Sequence, residues 1–208
     1  HETPESVGND MRMLVSEMAG RASIELKSVE LGIDLKGDKD LVGRVVEKVK
    51  EMEGRGFTFE AADASFELLL RSEVEGKRPS FFTIEDWQTT VHQDESGKVT
   101  SKATVKIKAN GETISATGVG NGPVNAIDNA LRSGLEKFYP ELSKLELTDY
   151  KVRILEGRLG TSAVTRVLVE TSDGLGEWST IGVHENVIAA SAMALDDAVT
   201  YGLLRQGR

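Results

Sequence analysis

Cysteine is absent from the 208-residue sequence, and histidine occurs only three times. The absence of cysteine excludes disulfides, thiolate metal sites and cysteine nucleophiles. His1, His92 and His184 are too widely spaced to suggest a metal-ligand cluster, so no metal site is predicted and the two internal histidines are expected at a surface or interface. Serine, histidine and aspartate are all present, but the sequence has no nucleophile elbow, which argues against a hydrolase.

Long apolar runs and an excess of positive charge are also missing. No apolar run approaches the roughly 20 residues of a membrane span, and no signal-peptide pattern is found. The 34 acidic residues outnumber the 25 basic ones, for a formal net charge of −9, which disfavours nucleic acid and anionic membranes as partners. With 39% hydrophobic residues, the chain is expected to be a cytoplasmic globular protein with one good core and a smaller second one.

The strongest pattern in the sequence is an internal repeat. Residues 111–139 and 175–203 both read as a strand, a glycine turn and a helix, and an offset of 64 residues superposes them. The matched pairs are Gly118 and Gly182, Val119 and Val183, Ala126 and Ala190, Ala130 and Ala194, and Leu131 and Leu195. Such self-similarity predicts a pseudo-symmetric α+β domain.

The periodicity supports three strands before each helix. Strands are predicted over 81–93, 99–109, 112–117, 147–156, 161–171 and 176–183, with helices over 122–138 and 186–204. In the second strand one face is apolar and the other carries lysines, which is typical of a half-buried antiparallel strand. The apolar face is Val99, Ala103, Val105, Ile107 and Ala109, and the lysines are Lys98, Lys102, Lys106 and Lys108. The predicted fold class is therefore α+β, with two pseudo-symmetric βββα units.

A small, mainly helical linker subdomain is predicted to precede these units. Residues 1–38 read as an extended lead interrupted by glycines, whereas helices are expected over 39–53 and 59–72. A polar stretch with Gly and Pro places the main domain boundary near residue 78. The predicted organisation is a linker segment (1–38), a helical subdomain (39–78) and a third domain (79–208) containing repeats at about 81–140 and 145–208.

The first glycine turn is the best candidate for a binding site. Gly118, Gly120 and Gly122 come immediately before the helix, and Pro123 fits its first turn. Exposed backbone amides at a helix start attract a carboxylate or phosphate. Alternatively, the glycines only permit a tight turn. A dinucleotide site is disfavoured, because its fingerprint needs a third glycine at position 123 and a parallel βαβ unit.

These residues resemble a known family. The segments GVGNGPVNAIDNAL, LTDYKVRI and EWSTIGVHENVIAASAMALDD are similar to the C-terminal regulatory domain of the 2-isopropylmalate and citramalate synthases. The N-terminal segment HETPESVGNDMRMLVSEMAGRASI resembles the part that follows the catalytic barrel in those enzymes, and EGRGFTFEAADASFELLLR is similar to the helical subdomain of the long citramalate synthase branch. The resemblance covers essentially the whole chain.

The resemblance implies a parent acyltransferase that condenses acetyl-CoA with a 2-oxo acid, pyruvate for citramalate or 2-oxoisovalerate for isopropylmalate. In the family this chemistry takes place in a TIM barrel with a divalent metal, and a barrel needs about 250 residues. The chain is thus expected to be a regulatory part that is inactive alone and needs no cofactor. No tyrosine stands near Met11, where a family tyrosine that assists catalysis would fall, so no catalytic residue is predicted.

The resemblance also implies an effector site at a homodimer interface, where the end-product amino acid binds for feedback inhibition. The matched positions are Gly120, Asn121, Gly122, Pro123, Val124, Asn125, Asp149, Tyr150 and Val187. In the second turn His184, Glu185 and Asn186 replace the small residues, so one unit is expected to bind while the other supports it. Isoleucine is the favoured effector. The alternatives are leucine, in a 2-isopropylmalate synthase, or a purely structural dimerisation module.

Overall fold

The computed structural model describes residues 20–35, 37–155 and 163–207. Three helices come first, and two units of three strands and a helix follow, which confirms the predicted α+β fold with two βββα units. The elements of the first part are α1 (Arg21–Glu30), α2 (Lys39–Gly54) and α3 (Asp63–Glu75), and we call these three helices the helical region. The first unit comprises β1 (Phe82–Gln93), β2 (Val99–Ala109), β3 (Glu112–Gly120) and α4 (Pro123–Leu135). After a 3₁₀ helix (Pro140–Lys144), the second unit comprises β4 (Glu146–Ile154), β5 (Thr165–Ser172), β6 (Glu177–His184) and α5 (Val187–Arg205).

The two sheets have the same antiparallel topology. Their strand orders are β1-β2-β3 and β4-β5-β6. The first strand of each sheet also has a register shift at a matching position, between Ile84 and Asp86 in β1 and between Leu147 and Asp149 in β4. The repeat detected in the sequence is therefore a repeat of the sheets as well as of the turns and helices.

Alternation along β2 sets the orientation of the first sheet. The side chains of Val105 and Ile107 are fully buried, whereas the lysines between and beside them are exposed, as the period of two predicts. Val99 differs from the prediction because 49% of its surface is exposed. It lies at the start of β2, opposite the end of β1 at Gln93.

Helices α4 and α5 each cover one sheet and meet in a shared core. Ile127, Leu131 and Leu135 of α4 are buried, as are Leu195 and Leu203 of α5, and their spacing places them on one face of each helix. The second sheet is covered on its other side too, because Ile181 and Val183 of β6 belong to a separate core formed with the helical region. This second core ties the helical region to the second unit.

The prediction of an extended lead was wrong for its described part, because α1 lies within it. Gly20 and Gly32, read from the sequence as interruptions, instead flank the ends of the helix: Gly20 precedes its first turn, and Gly32 has a φ of +67° just beyond its end. Ile24 is fully buried among the residues of the helical region. The remaining part of the predicted lead, residues 1–19, lies outside the described residues.

Helix α3 begins four residues later than predicted, at Asp63. Phe57 and Phe59 precede it as buried loop residues and stack near each other, with 6.2 Å between their ring centroids. Gly76 ends the helix with a φ of +73°. The predicted helix included part of this loop because its buried residues continue the apolar pattern of α3. The predicted ends of the strands around 156–162 lie outside the described residues.

Helix α5 is long and apolar enough to cross a membrane by length and composition alone. However, 56% of this segment is buried inside the protein, and its inward face packs on the second sheet and on the shared core. The helix also carries Asp196 and Asp197 near its middle. It is therefore a core helix of the domain.

Candidate functional site

The two matched glycines let each helix lie directly on the strand before it. A Cβ atom on Gly118 would overlap the carbonyl oxygen of Ala126, and one on Gly182 would overlap that of Ala190. The alanines are themselves matched by the repeat, so the same close contact forms in both units. This contact fixes where the first turns of α4 and α5 lie relative to the sheets.

The first turns of α4 and α5 differ in how their amides are satisfied. In α5 the side chain of Asn186 accepts hydrogen bonds from the amides of Ile188 (2.8 Å) and Ala189 (3.1 Å). In α4 the equivalent position is Gly122, and no side chain caps the helix. Because the first amides of a helix have no partner within it, the start of α4 offers N–H groups and a positive helix end to an anion.

Substitution of Asn186 by alanine is expected to lower the free energy of unfolding by about 1 kcal/mol, because the amides at the start of α5 lose their acceptor. Asn186→Asp keeps an acceptor oxygen and serves as the control. Urea denaturation of the three proteins measures the difference. Equal stability of the alanine variant and the wild type would contradict a capping role.

A cavity of about 820 Å³ opens beside the uncapped start of α4. Its walls come from α4, from β4 with the residue before it, and from the first turn of α5. The lining residues are Gly122, Pro123, Val124, Asn125, Asp128, Asn129, Arg132, Leu145, Glu146, Leu147, Tyr150, Val187 and Ile188. The cavity thus joins the two units and has both apolar and charged walls.

Six of the nine residues proposed from the resemblance line this cavity, and three do not. The six are Gly122, Pro123, Val124, Asn125, Tyr150 and Val187. Gly120 and Asn121 lie in the adjoining turn, where the amide of Asn121 donates to Oδ1 of Asn125 (3.2 Å). Asp149 lies outside the cavity, and its carboxylate is ion-paired with Lys151. The hydrogen bond from Lys151 is the main cause that lowers the pKa of Asp149.

The sequence did not predict seven residues of the lining, and these include all of its charged side chains. The missed residues are Asp128, Asn129, Arg132, Leu145, Glu146, Leu147 and Ile188. A signal for some of them existed, because Asn125, Asp128, Asn129 and Arg132 recur at spacings of three and four residues, which places them on one face of α4.

Arg132 and Asp128 form a largely buried ion pair in the cavity wall. The Nε atom of Arg132 donates to Oδ1 of Asp128 (2.8 Å), and its Nη1 atom donates to the carbonyl oxygen of Leu145. Burial raises the pKa of Asp128, although the charge and hydrogen bond of Arg132 act in the opposite direction. Arg132 is also one of the residues that line the cavity, so its guanidinium places a positive charge beside an anionic ligand bound there.

Tyr150 connects the cavity wall of β4 to α5. Its hydroxyl lies 2.8 Å from Oγ of Ser191, and that Oγ donates to the carbonyl oxygen of Val187 (2.6 Å). Because the serine proton is used on Val187, Tyr150 acts as the donor to Ser191. A contact that changes the position of Tyr150 therefore acts on the first turn of α5.

The model of the LeuA allosteric (dimerisation) domain family matches residues 60–203, and the chain belongs to this family. An (R)-citramalate synthase of Streptomyces coelicolor is 65% identical over 207 residues, which are 100% of this chain and 39% of that protein. An (R)-citramalate synthase of Geobacter sulfurreducens is 44% identical over 98% of this chain and 38% of its own length. A 2-isopropylmalate synthase of Aquifex aeolicus is 32% identical over 98% of this chain and 36% of its own length. The family resemblance is confirmed, and the chain spans roughly two fifths of the length of the curated relatives it matches.

Proposed function

We propose that this domain binds the branched-chain amino acid isoleucine in the cavity between α4, β4 and α5, and that binding inhibits a citramalate synthase to which the domain belongs. The observation that carries the proposal is the composition of the cavity. A free amino acid presents a carboxylate, an ammonium group and an apolar side chain, and the lining supplies a partner for each.

Each group of isoleucine has a partner of opposite or matching chemistry. The uncapped amides of Val124 and Asn125, with the guanidinium group of Arg132, suit the carboxylate. Glu146 is the exposed carboxylate of the lining and suits the ammonium group. Leu147 and Ile188, with the ring of Tyr150, provide an apolar wall for the side chain.

The same proposal includes a homodimer. Apolar side chains are exposed at the cavity, 36% for Tyr150 and 39% for Val187, and farther along β4, 46% for Val152 and 68% for Ile154. Exposed apolar residues at this density are typical of an interaction surface. The family description names dimerisation, which supports a second copy as the partner that covers these residues.

The parent protein is proposed to be a cytoplasmic acyltransferase that condenses acetyl-CoA with pyruvate. The printed names of the relatives support this, and one of them supports the alternative of a 2-isopropylmalate synthase with leucine as effector. The chain itself is proposed to be inactive without its catalytic barrel. The divalent metal implied by the family resemblance is proposed to bind in that barrel.

Isothermal titration calorimetry tests the proposal. L-isoleucine is expected to bind the folded chain with one molecule per cavity, and L-leucine at least about tenfold more weakly. L-isoleucinamide lacks the carboxylate and is the matched control, for which no binding is expected. Tighter binding of leucine would favour the 2-isopropylmalate synthase alternative. If a folded dimer binds neither amino acid, the effector proposal is wrong and the purely structural dimerisation module is the remaining interpretation.

A further inference from the structure

A second, smaller pocket of about 390 Å³ lies between β1 and α5. It is lined by Arg78, Ile84, Trp87, His184, Ala189, Ala192, Met193, Asp196 and Asp197. Several of these positions are the repeat equivalents of residues that line the large cavity. Ile84 and Trp87 precede Leu147 and Tyr150 by 63 residues, and Ala189, Ala192, Met193 and Asp196 follow Asn125, Asp128, Asn129 and Arg132 by 64.

The two equivalent pockets have opposite charge at one matched position of the lining. The large cavity has Arg132 where the second pocket has Asp196, and Asp197 adds a second carboxylate there. These carboxylates bind a cation from the chain itself. The Nη2 atom of Arg78 lies 2.6 Å from Oδ1 of Asp196 and 2.7 Å from Oδ1 of Asp197. The second pocket therefore holds a guanidinium group.

Arg78 follows α3, and α3 is joined to the same helix by further polar contacts. Ser65 donates to Oδ2 of Asp197 (2.6 Å) and accepts from the amide of Ile181 (3.0 Å). Tyr201 of α5 donates to Oε2 of Glu67 (2.7 Å). Burial is the first cause that raises the pKa of Asp197, so the carboxylate needs its partners to remain charged. The helical region is thus attached to α5 through charged and polar groups with fixed geometry.

One helix consequently takes part in both pockets. Val187 and Ile188, in the first turn of α5, line the large cavity, whereas Asp196 and Asp197 hold Arg78. We propose that Arg78, bound in the second pocket, is the positioning residue that couples the effector cavity to the helical region, through movement of α5. This inference rests on the proposed function, because it assigns the route by which the bound amino acid acts. Spatial connection alone does not establish coupling, so the test must measure coupling itself.

Hydrogen–deuterium exchange of the whole chain, with and without saturating L-isoleucine, provides that measurement. In the wild type isoleucine is expected to slow amide exchange in α3 by at least about threefold, since a ligand that fixes α5 restricts its attached elements. In Arg78→Gln isoleucine should bind with a Kd within about threefold of the wild type, while the change in α3 falls to about half or less; part of it can remain, because Ser65 and Glu67 still contact α5. Arg78→Lys keeps a cation and is expected to restore part of the change.

Arg205→Gln is the matched control. Arg205 is as exposed as Arg78, with 36% against 37% of the side chain accessible, and it also pairs with an aspartate, Asp173. Arg205 and Asp173 both belong to the second unit, so Arg205→Gln should leave the effect of isoleucine on amide exchange in α3 as it is in the wild type. Asp196→Asn is the second test variant, in case Arg78→Gln fails to fold. It weakens the contact of Arg78 with residue 196 and keeps the contact with Asp197. We expect it to reduce the effect of isoleucine on amide exchange in α3.

The outcomes separate the two claims. Isoleucine binding with an unchanged α3 response in both Arg78→Gln and Asp196→Asn overturns the coupling role and leaves the effector site intact. Equal loss of the response in Arg205→Gln also overturns it, because the effect would then follow any lost arginine pair. If the wild type binds neither isoleucine nor leucine, the proposed function itself fails, and the coupling role fails with it.

Discussion

Gly182→Ala is expected to lower the free energy of unfolding by about 3 kcal/mol or more, because the added Cβ atom meets backbone that cannot move aside independently. The nearest atoms are the carbonyl oxygen and carbon of Ala190 and the amide nitrogen of Ala194, all in α5. Relief of this overlap requires the whole helix to lift from β6, where it covers a core that includes Trp178. Gly182→Ala therefore acts on packing across the second unit.

Urea denaturation followed by tryptophan fluorescence measures this effect, since Trp178 is only 2% exposed and lies on the same strand as Gly182. Gly122→Ala is the matched control. Gly122 lies four residues after Gly118, which is the repeat equivalent of Gly182. The φ of Gly122 is −153°, which suits any residue, and no described residue lies within 4 Å of a Cβ built there. The control should change stability by less than about 0.5 kcal/mol. A similar small change for Gly182→Ala would contradict the packing role of this glycine.

Gly122→Val is expected to preserve the fold and to weaken isoleucine binding by at least about tenfold, or about 1.4 kcal/mol. The valine side chain finds open space at the cavity wall, so the protein tolerates it, but that space is the space the ligand carboxylate needs next to the start of α4. A branched side chain there also shields the uncapped amides. The variant separates a binding role of the turn from a purely conformational one.

Calorimetry with L-isoleucine and circular dichroism are measured on the same preparations. A control glycine must have open space for a side chain and a φ that valine can adopt. Gly174 fails because its φ is +79°. Gly20 meets both conditions, since its φ is negative and no described residue lies within 4 Å of a Cβ built there. Gly20→Val is therefore the matched control and should retain wild-type affinity. Unchanged affinity in Gly122→Val would argue that the ligand does not approach this turn, and lost folding would favour the structural alternative.

Much of the fold was predictable because its two periodicities are strong. The alternation in β2 and the apolar stripes of α4 and α5 depend only on which faces are buried, and local sequence carries that information. Helix α1 was not predicted because glycines such as Gly20 and Gly32 are common both at the ends of helices and within loops, so their positions alone do not distinguish the two. The start of α3 was misplaced because Phe57 and Phe59 are buried by tertiary contacts that no local period encodes.

From local sequence the lining could be predicted only where one element supplies it, whereas Tyr150 and Val187 came from the family resemblance. Gly122 to Asn125 are contiguous, and the sequence drew attention to them together. Arg132 becomes part of the lining because the residues before β4 reach it, with the carbonyl oxygen of Leu145 accepting from its guanidinium. Asp149 and Tyr150 are neighbours in sequence, yet a strand sends adjacent side chains to opposite faces, and only Tyr150 lines the cavity.

The register shift shared by β1 and β4 indicates descent from one duplicated unit, since an irregularity of pairing is kept at the same place in both copies. In the second unit Asp196 stands at the position that Arg132 holds in the first, and it pairs with Arg78, which lies between α3 and β1. One copy of the duplicated pocket therefore binds an arginine of the same chain and forms part of the contact between the helical region and the second unit.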